Sequence, residues 1–289
     1  MIDDKFFEQL KNIDFITRKR ISSLYSGSRK SIKLGRGIET ISYREYQPGD
    51  DFRTIDWRIY ARSEKLYVRM FEEEKNLDLH VLVDASSSMS FTTGDMTKFD
   101  YGGSLAAGFD YVSSRKNERF ATSLYSKNLK LVTQPKRGKT HFFRIIDFLN
   151  DAELEGETDL SFCMKQYGAM VKNKSFFVII SDFMEPIGSL RDGIWRAAKN
   201  SKELVLVQVL DPGEIELKWL GDAKLEDLET HGVERTYLGP SFKKQYKKRM
   251  EDHVFQIKEI CDEVNAQFFS VRTDVPLVDN FISVLGMAH

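Results

Sequence analysis

The chain has 289 residues, of which 41% are hydrophobic, so it is long enough for one large domain or for a domain with an appendage. A net charge of −1 and a pI near 6.6 argue against a general nucleic-acid-binding protein, since that class is usually basic. Cys163 and Cys261 show neither metal-ligand spacing nor a disulfide framework, which favours a reducing compartment. Residues 1–5 do not resemble a signal peptide, and no apolar run approaches the ~20 residues of a membrane span. We therefore expect a cytoplasmic protein without an integral membrane segment.

The N-terminal stretch, residues 3–25, carries apolar side chains at largely helical spacing. We expect a helix that packs on the main domain. A peripheral membrane helix is the weaker alternative, because Asp3, Asp4 and Glu8 would repel anionic lipid.

The segment from 27 to 75 combines turn residues, charges and aromatic side chains. Residues 48–50 (Pro-Gly-Asp) predict a turn and the alternation over 67–71 predicts a strand, so we expect a β-rich appendage. One group in this segment mixes charge with aromatic bulk: Arg44, Arg53, Asp56, Trp57 and Arg62. Its first interpretation is an internal salt-bridge web, in which case Asp56→Ala and Trp57→Ala would lower stability. Its second interpretation is a surface that recognises a partner, and the two are compatible.

A short apolar run, residues 77–83, ends on Asp84, and Ser86 and Ser88 follow at alternate positions. Such a run predicts a buried strand, and open α/β sheets bind ligands at the carboxyl ends of their strands. One carboxylate with hydroxyl oxygens suits magnesium, manganese or calcium. The alternative is an ordinary strand-to-helix turn with a serine cap. A second apolar run ends on Asp182, where a second acid would face the same crevice.

From residue 99 onward, helix and strand patterns alternate along the chain. Helices are predicted over 99–115, 140–149, 160–171, 187–199, 241–265 and 275–285. Strands are predicted as a hairpin over 119–126 and 129–133, and then at 175–180, 204–210 and 267–271. The alternation predicts a doubly wound α/β domain with a mostly parallel sheet over residues 76–289. We expect a small β insertion in it near 212–240, and the helix and β-rich appendage in residues 1–75.

The acids and hydroxyls resemble the metal-ion-dependent adhesion site of von Willebrand factor A-type domains. That family has Asp-x-Ser-x-Ser after its first strand, a distant Thr, and an Asp that ends a later strand. The matching positions are Asp84, Ser86, Ser88, Thr158 and Asp182. The resemblance implies a Rossmann-type fold and a divalent metal contacted by the three hydroxyls, with the two acids binding directly or through water. Magnesium is the first choice, with manganese or calcium as alternatives.

Four upstream motifs resemble a bacterial family known as domain-of-unknown-function family 58. They read Gly-Arg-Gly-Ile-Glu at 35–39, Arg-Glu-Tyr-Gln-Pro-Gly-Asp at 44–50, Arg-Thr-Ile-Asp-Trp at 53–57 and Ala-Arg at 61–62. An A-type domain follows, as in the family. Ile41 and Tyr43 stand in a zone where the family often has a single aromatic residue. Members are commonly encoded beside MoxR-type AAA+ ATPases, which implies a partner or adaptor role with such an ATPase or its client.

Motifs for enzymatic activity are weak in this sequence. Gly138-Lys139-Thr140 resembles the end of a phosphate-binding loop, but Thr133 stands where that motif requires a glycine. A metal-assisted hydrolase needs a base to activate water, and no His or Lys accompanies the metal motif in the sequence. We therefore expect a non-enzymatic, metal-dependent protein-binding module. A metal-assisted hydrolase or phosphatase that uses the same ion is the alternative.

Overall fold

The computed structural model describes residues 30–34, 40–74, 78–217, 221–226 and 233–285. The helix predicted over residues 3–25 and the motif at 35–39 lie outside these ranges. The chain divides into two compact units, residues 18–76 and a larger unit that contains residues 77–289.

The smaller unit is a three-stranded antiparallel sheet with one helix. Its strands are β1 (Lys30–Leu34), β2 (Thr40–Glu45) and β3 (Tyr67–Glu74). They lie in the order β1-β3-β2, and β3 contains the strand predicted over 67–71. The helix, α1 (Trp57–Ser63), was not predicted. It begins after Asp56, whose carboxylate accepts hydrogen bonds from the backbone N–H groups of Arg58 and Ile59 and so caps the first turn.

The larger unit is built on a mostly parallel sheet. Its described strands are β4 (Leu79–Asp84), β5 (Phe120–Tyr125), β6 (Leu129–Val132), β7 (Ser175–Ser181), β8 (Ser201–Leu210), β9 (Gly221–Glu226), β10 (Val233–Leu238) and β11 (Gln267–Arg272). Six of them form one sheet in the order β11-β8-β7-β4-β5-β6, in which only the β5–β6 pair is antiparallel. The other two, β9 and β10, form a separate antiparallel pair. The predicted mostly parallel α/β sheet is confirmed.

Seven described helices connect or follow these strands. They are α2 (Lys98–Arg115), α3 (Lys139–Asn150), α4 (Leu160–Met170), α5 (Ile187–Asn200), α6 (Pro212–Glu216), α7 (Pro240–Glu263) and α8 (Leu277–Val284). Six of the seven match predicted helices to within a few residues at their ends. The short α6 lies in the stretch where a small β insertion was predicted. Within the described ranges, no helix is long and apolar enough to cross a membrane.

The sheet is covered by helices on both faces, which explains the near-continuous apolar sequence of its central strands. On one face, Leu82 and Ile179 pack with Leu160 of α4 in a buried cluster. On the other face, Gly102 of α2 lies against Ile180, which points away from Ile179 because neighbouring strand residues face opposite sides. The sheet is therefore doubly wound, and the carboxyl ends of β4 and β7 lie side by side at one edge.

Candidate functional site

Asp84 ends β4 and is completely buried. Its Oδ1 accepts a hydrogen bond from the backbone N–H of Ser86 at 2.9 Å, and its Oδ2 accepts one from the Ser181 hydroxyl at 2.6 Å. Burial, followed by the nearby charge of Asp182, raises the pKa of Asp84 to about 6, although these hydrogen bonds oppose the shift. A cation placed next to this carboxylate would stabilise its charged form.

Asp182 directly follows β7, the parallel neighbour of β4, so the two acids lie at the same edge of the sheet. The Ser88 hydroxyl donates to Asp182 Oδ2 at 2.8 Å, and the hydroxyl oxygens of Ser86 and Ser88 are 3.1 Å apart. The backbone N–H of Met184 donates to Asp182 Oδ1 at 3.2 Å. The two serines therefore connect the two acids, as their alternate positions after Asp84 predicted.

Thr158 comes from the loop before α4, and its hydroxyl lies 3.2 Å from Asp84 Oδ2. The backbone N–H of Ser87 donates to the Gly156 carbonyl at 3.0 Å and fastens this loop to the end of β4. Gly156 has a φ of +80°, a conformation that favours glycine. The predicted metal-ligating residues thus lie in one hydrogen-bonded group: Asp84, Ser86, Ser88, Thr158 and Asp182.

Glu185, which the sequence did not reveal as part of this region, fixes the amino end of α4. Its carboxylate oxygens lie 3.2 and 3.3 Å from the backbone nitrogen of Leu160, which donates to them, and the Ser189 hydroxyl donates at 2.7 Å. Burial is the main cause that raises the pKa of Glu185 to about 7. Thr158 directly precedes Asp159, the residue that caps the amino end of α4. The contact between Glu185 and Leu160 therefore also holds the Thr158 loop in place.

Lys98 is the second residue of this region that the sequence analysis missed. Its Nζ donates to Asp182 Oδ2 at 2.7 Å and to Glu214 Oε1 at 2.6 Å, and its side chain is 1% exposed. Burial alone would lower the pKa of Lys98, but the charges of the two acids outweigh it and raise that pKa above its ordinary value. Lys98 therefore joins the site in space, although it lies outside the metal motif in the sequence. Thr97 and Asp100 form a capping box that places Lys98 at the first position of α2, and this signal is visible in the sequence.

The residues at this edge fit a hard divalent cation. Carboxylate and hydroxyl oxygens are the donors that magnesium and manganese prefer. Within the described ranges, no group of three or more His, Cys, Asp or Glu side chains is arranged for metal binding, so the hydroxyls are needed to complete a ligand set. Lys98 pairs with two carboxylates, Asp182 and Glu214, and Asp84 adds a third at the same edge of the sheet. A divalent ion would offset the negative charge of this group.

In the smaller unit, Arg44 and Asp56 have structural roles. Arg44 Nη2 donates to the two carboxylate oxygens of Asp50 at 2.9 and 2.8 Å. Asp56 caps α1. Arg44 thus pairs with Asp50, which lies outside the predicted group, and the predicted salt-bridge web stays a prediction.

The remaining three residues of that group, Arg53, Trp57 and Arg62, are exposed. Trp57 is 59% exposed and its ring contacts the ring of Tyr60 edge-on, with 6.1 Å between centroids. These three side chains are thus accessible in the smaller unit. The internal web and the recognition surface both stay predictions.

Solved structures with similar architecture align at low sequence identity. BatB from Bacteroides thetaiotaomicron has a TM-score of 0.48 and 12% identity, over 73% of this chain and 100% of that one. The SpRpn10 VWA domain has a TM-score of 0.47 and 11% identity, over 74% of this chain and 99% of that one. The assignment of the fold rests on the strand order of the sheet itself.

Sequence relatives cover most of the chain. Uncharacterized protein Rv1480 of Mycobacterium tuberculosis is 27% identical over 276 residues, which is 94% of this chain and 86% of that protein. Uncharacterized protein YeaD of Bacillus subtilis is 42% identical over 50 residues, 17% of this chain and 13% of that protein. The model of the family described as "Protein of unknown function DUF58" matches residues 42–255. Since that match spans most of the 289 residues, the chain belongs to the DUF58 family.

Proposed function

We propose that this protein is a non-enzymatic protein-binding module whose candidate site acts through a divalent metal ion. The observation that carries this proposal is the convergence of two carboxylates and three hydroxyls at the carboxyl edge of β4 and β7. Asp84, Ser86, Ser88, Thr158 and Asp182 would hold the ion. When bound, the ion would supply a strong contact for a carboxylate from outside the chain. An acidic side chain of a partner protein is the ligand that suits this position.

The alternative, a metal-assisted hydrolase or phosphatase, has less support. Lys98 is the basic side chain nearest to the acids among those described, and its ion pairs with Asp182 and Glu214 keep it protonated. A protonated ammonium group cannot take a proton from water, so Lys98 does not supply the base that metal-assisted hydrolysis requires. The same geometry suits binding, which needs no base.

For the partner, we propose a MoxR-type AAA+ ATPase or a protein that such an ATPase remodels. The support for this choice is the resemblance carried by the motifs at 44–50, 53–57 and 61–62. The exposed Trp57 and Arg62 belong to these motifs, and exposed aromatic and arginine side chains are common at the centres of protein interfaces. They would form a second contact region, in the smaller unit.

Affinity purification of the tagged protein from native lysate, in Mg²⁺ and in EDTA, tests the proposal. We expect an AAA+ ATPase or its client, identified by mass spectrometry, in the Mg²⁺ sample and its loss in EDTA. Ser88→Ala removes a hydroxyl of the site and should lower the recovered amount by about tenfold, the effect of roughly 1.4 kcal/mol. Ser90→Ala is the matched control, because this exposed hydroxyl donates to the Ser87 carbonyl outside the site. It should leave recovery unchanged.

Equal recovery in Mg²⁺ and in EDTA would contradict metal dependence. The hydrolase is tested separately, with phosphoester, peptide and nucleotide substrates. Metal-dependent turnover that is lost in Asp84→Ala would contradict the binding-module proposal and favour the hydrolase.

A further inference from the structure

Lys98 contacts a candidate metal ligand and a second acid at the same time, although its ammonium group is buried. Nζ donates to Asp182 at 2.7 Å and to Glu214 at 2.6 Å. The ring of Phe91 lies 5.9 Å from Nζ and covers another side of the ammonium group. The oxygen of Asp182 that accepts from Lys98 also accepts from Ser88, so Lys98 is directly attached to the hydrogen-bonded group of the candidate site.

Glu214 is held in place independently of Asp182. It lies in α6, where its Oε2 accepts a hydrogen bond from the backbone N–H of Asp211 at 3.2 Å as part of a capping box. The Asp211 carboxylate in turn accepts a hydrogen bond from the backbone N–H of Thr93 at 3.0 Å. Glu214 therefore offers Lys98 a fixed carboxylate that is not one of the predicted metal-ligating residues.

A divalent cation beside Asp182 and the ammonium group of Lys98 would repel each other, because like charges interact strongly at short range away from bulk water. Both would draw on the same carboxylate, while Glu214 holds the ammonium group from its other side. We propose that Lys98 is a tethered competitor of the divalent cation, and that Glu214 retains the ammonium group when the ion takes its place beside Asp182. This inference rests on the proposed metal-dependent function and names the residues that regulate it.

The arrangement also predicts how the ion and the partner affect each other. While Lys98 offsets one of the two site carboxylates, Asp84 and Asp182, an ion alone is held weakly. A carboxylate from the partner adds a negative charge and favours the ion over the ammonium group. Metal and partner therefore bind cooperatively, each raising the affinity for the other by the same factor.

Isothermal titration calorimetry of the full chain with Mg²⁺ and Mn²⁺ tests the competition, with circular dichroism used to verify folding. Lys98→Met keeps the apolar stem but removes the charge, so we expect Kd to fall by roughly tenfold or more. Glu214→Gln removes the alternative partner, so the ammonium group stays on Asp182 and Kd rises by a similar factor. A lysine with only a structural role predicts weaker binding in both variants, so the direction of change in Lys98→Met is decisive.

The double variant Lys98→Met/Glu214→Gln shows whether Glu214 acts through Lys98. We expect Glu214→Gln to have a smaller effect once Lys98 is gone, because the group on which it acts is absent. Since it replaces the buried pair by neutral groups, the double variant also serves if Lys98→Met alone does not fold. The matched controls, Lys247→Met and Glu251→Gln, make the same charge changes in an exposed pair on α7. They should stay within about twofold of the wild-type Kd.

Tighter binding by Lys98→Met together with weaker binding by Glu214→Gln supports the competition. Loss of Lys98 is measured in two comparisons, Lys98→Met with the wild type and the double variant with Glu214→Gln. If the wild type binds the ions but neither comparison shows tighter binding, the competition is wrong. The proposed metal-dependent function then stands. If neither the wild type nor any variant binds either ion, both proposals fail. If only variants without Lys98 bind, the metal dependence of the wild type fails while the competition is supported.

Discussion

At the scale of single residues, burial lowers the pKa of a histidine in the central sheet. His80 in β4 is buried, with its Nδ1 2.8 Å from the Tyr167 hydroxyl and its ring stacked on Phe177 at 5.1 Å between centroids. Burial, and then the positive charge of Arg119, lower the pKa of His80 to about 4. The histidine is therefore neutral at physiological pH, and its ring nitrogen has a hydrogen-bond partner.

The depressed pKa of His80 predicts a loss of stability in acid. In the window between the folded pKa of about 4 and the unfolded value of 6.5, the unfolded chain binds more protons. The contribution of His80 is thus complete above the unfolded value and is lost as the pH falls toward the folded one, by roughly 3 kcal/mol in total. Urea unfolding of the wild type and His80→Gln across this range measures it, and the wild type should lose stability more steeply. A difference between the two proteins that does not change with pH would contradict the assignment, since all other titrating groups are common to both.

At the scale of elements, the position of the Thr158 loop depends on how α4 packs against α5. Gly193 of α5 faces the first turn of α4, and a Cβ atom there would lie 2.7 Å from the Leu160 side chain and 3.0 Å from the backbone nitrogen of Ser161. The 2.7 Å distance is shorter than real Cβ contacts, so a side chain at position 193 would require the two helices to shift. Gly188, on the same helix, would place a Cβ atom in open space.

These two glycines provide a matched pair of substitutions. We expect Gly193→Ala to lower the free energy of unfolding by roughly 1–3 kcal/mol, because the helices must separate to admit the methyl group. Gly188→Ala should be neutral or stabilising by up to about 1 kcal/mol, because alanine favours the helix and meets nothing. Chemical denaturation measures both. Equal effects of the two substitutions would show that the α4–α5 contact does not require a glycine.

At the scale of the whole molecule, the candidate site gathers residues from distant parts of the chain at one edge of one sheet. A ligand bound there only in the folded state shifts the unfolding equilibrium by mass action. The two acids lie on neighbouring parallel strands, and Thr158 joins them from the loop before α4. Metal binding is thus expected to stabilise the larger unit as a whole, and thermal unfolding can detect it.

We expect Mg²⁺ or Mn²⁺ to raise the melting temperature of the wild type by several degrees. The corresponding stabilisation is about 2.7 kcal/mol at a metal concentration 100 times Kd. Asp84→Ala should remain folded and lose this response, and Asp84→Asn, which keeps the shape of the side chain, should lose it as well. Asp110→Asn is the control, because this buried acid bonds to Thr122 and lies about 18 Å along α2 from Lys98. If both Asp84 variants keep the metal-induced rise in melting temperature, the proposed metal site is wrong.

Patterns in the sequence were enough to predict the strands of the six-stranded sheet, most helices of the larger unit, and the acids and serines proposed as metal ligands. Asp84 and Asp182 could be identified because each closes an apolar run, and such patterns extend over only a few neighbouring residues. Ser86 and Ser88 follow Asp84 at alternate positions. Their side chains were therefore expected to point the same way, which can be read from a few neighbouring residues. Thr158 came from a family resemblance and not from any local pattern.

Only the tertiary structure revealed that the ammonium group of Lys98 lies beside Asp182. The Lys98–Glu214 contact joins residues 116 positions apart, and Glu214 lies on a short helix where a small β insertion was predicted. The exposure of Trp57 was also undetermined, since a mixed charged and aromatic segment fits both a buried web and a surface. The spacing of apolar residues and the positions of turn residues indicate which side chains face a core, because burial repeats with the geometry of each helix or strand. Which charges meet across that core depends on how distant elements pack, and no short stretch of sequence contains that information.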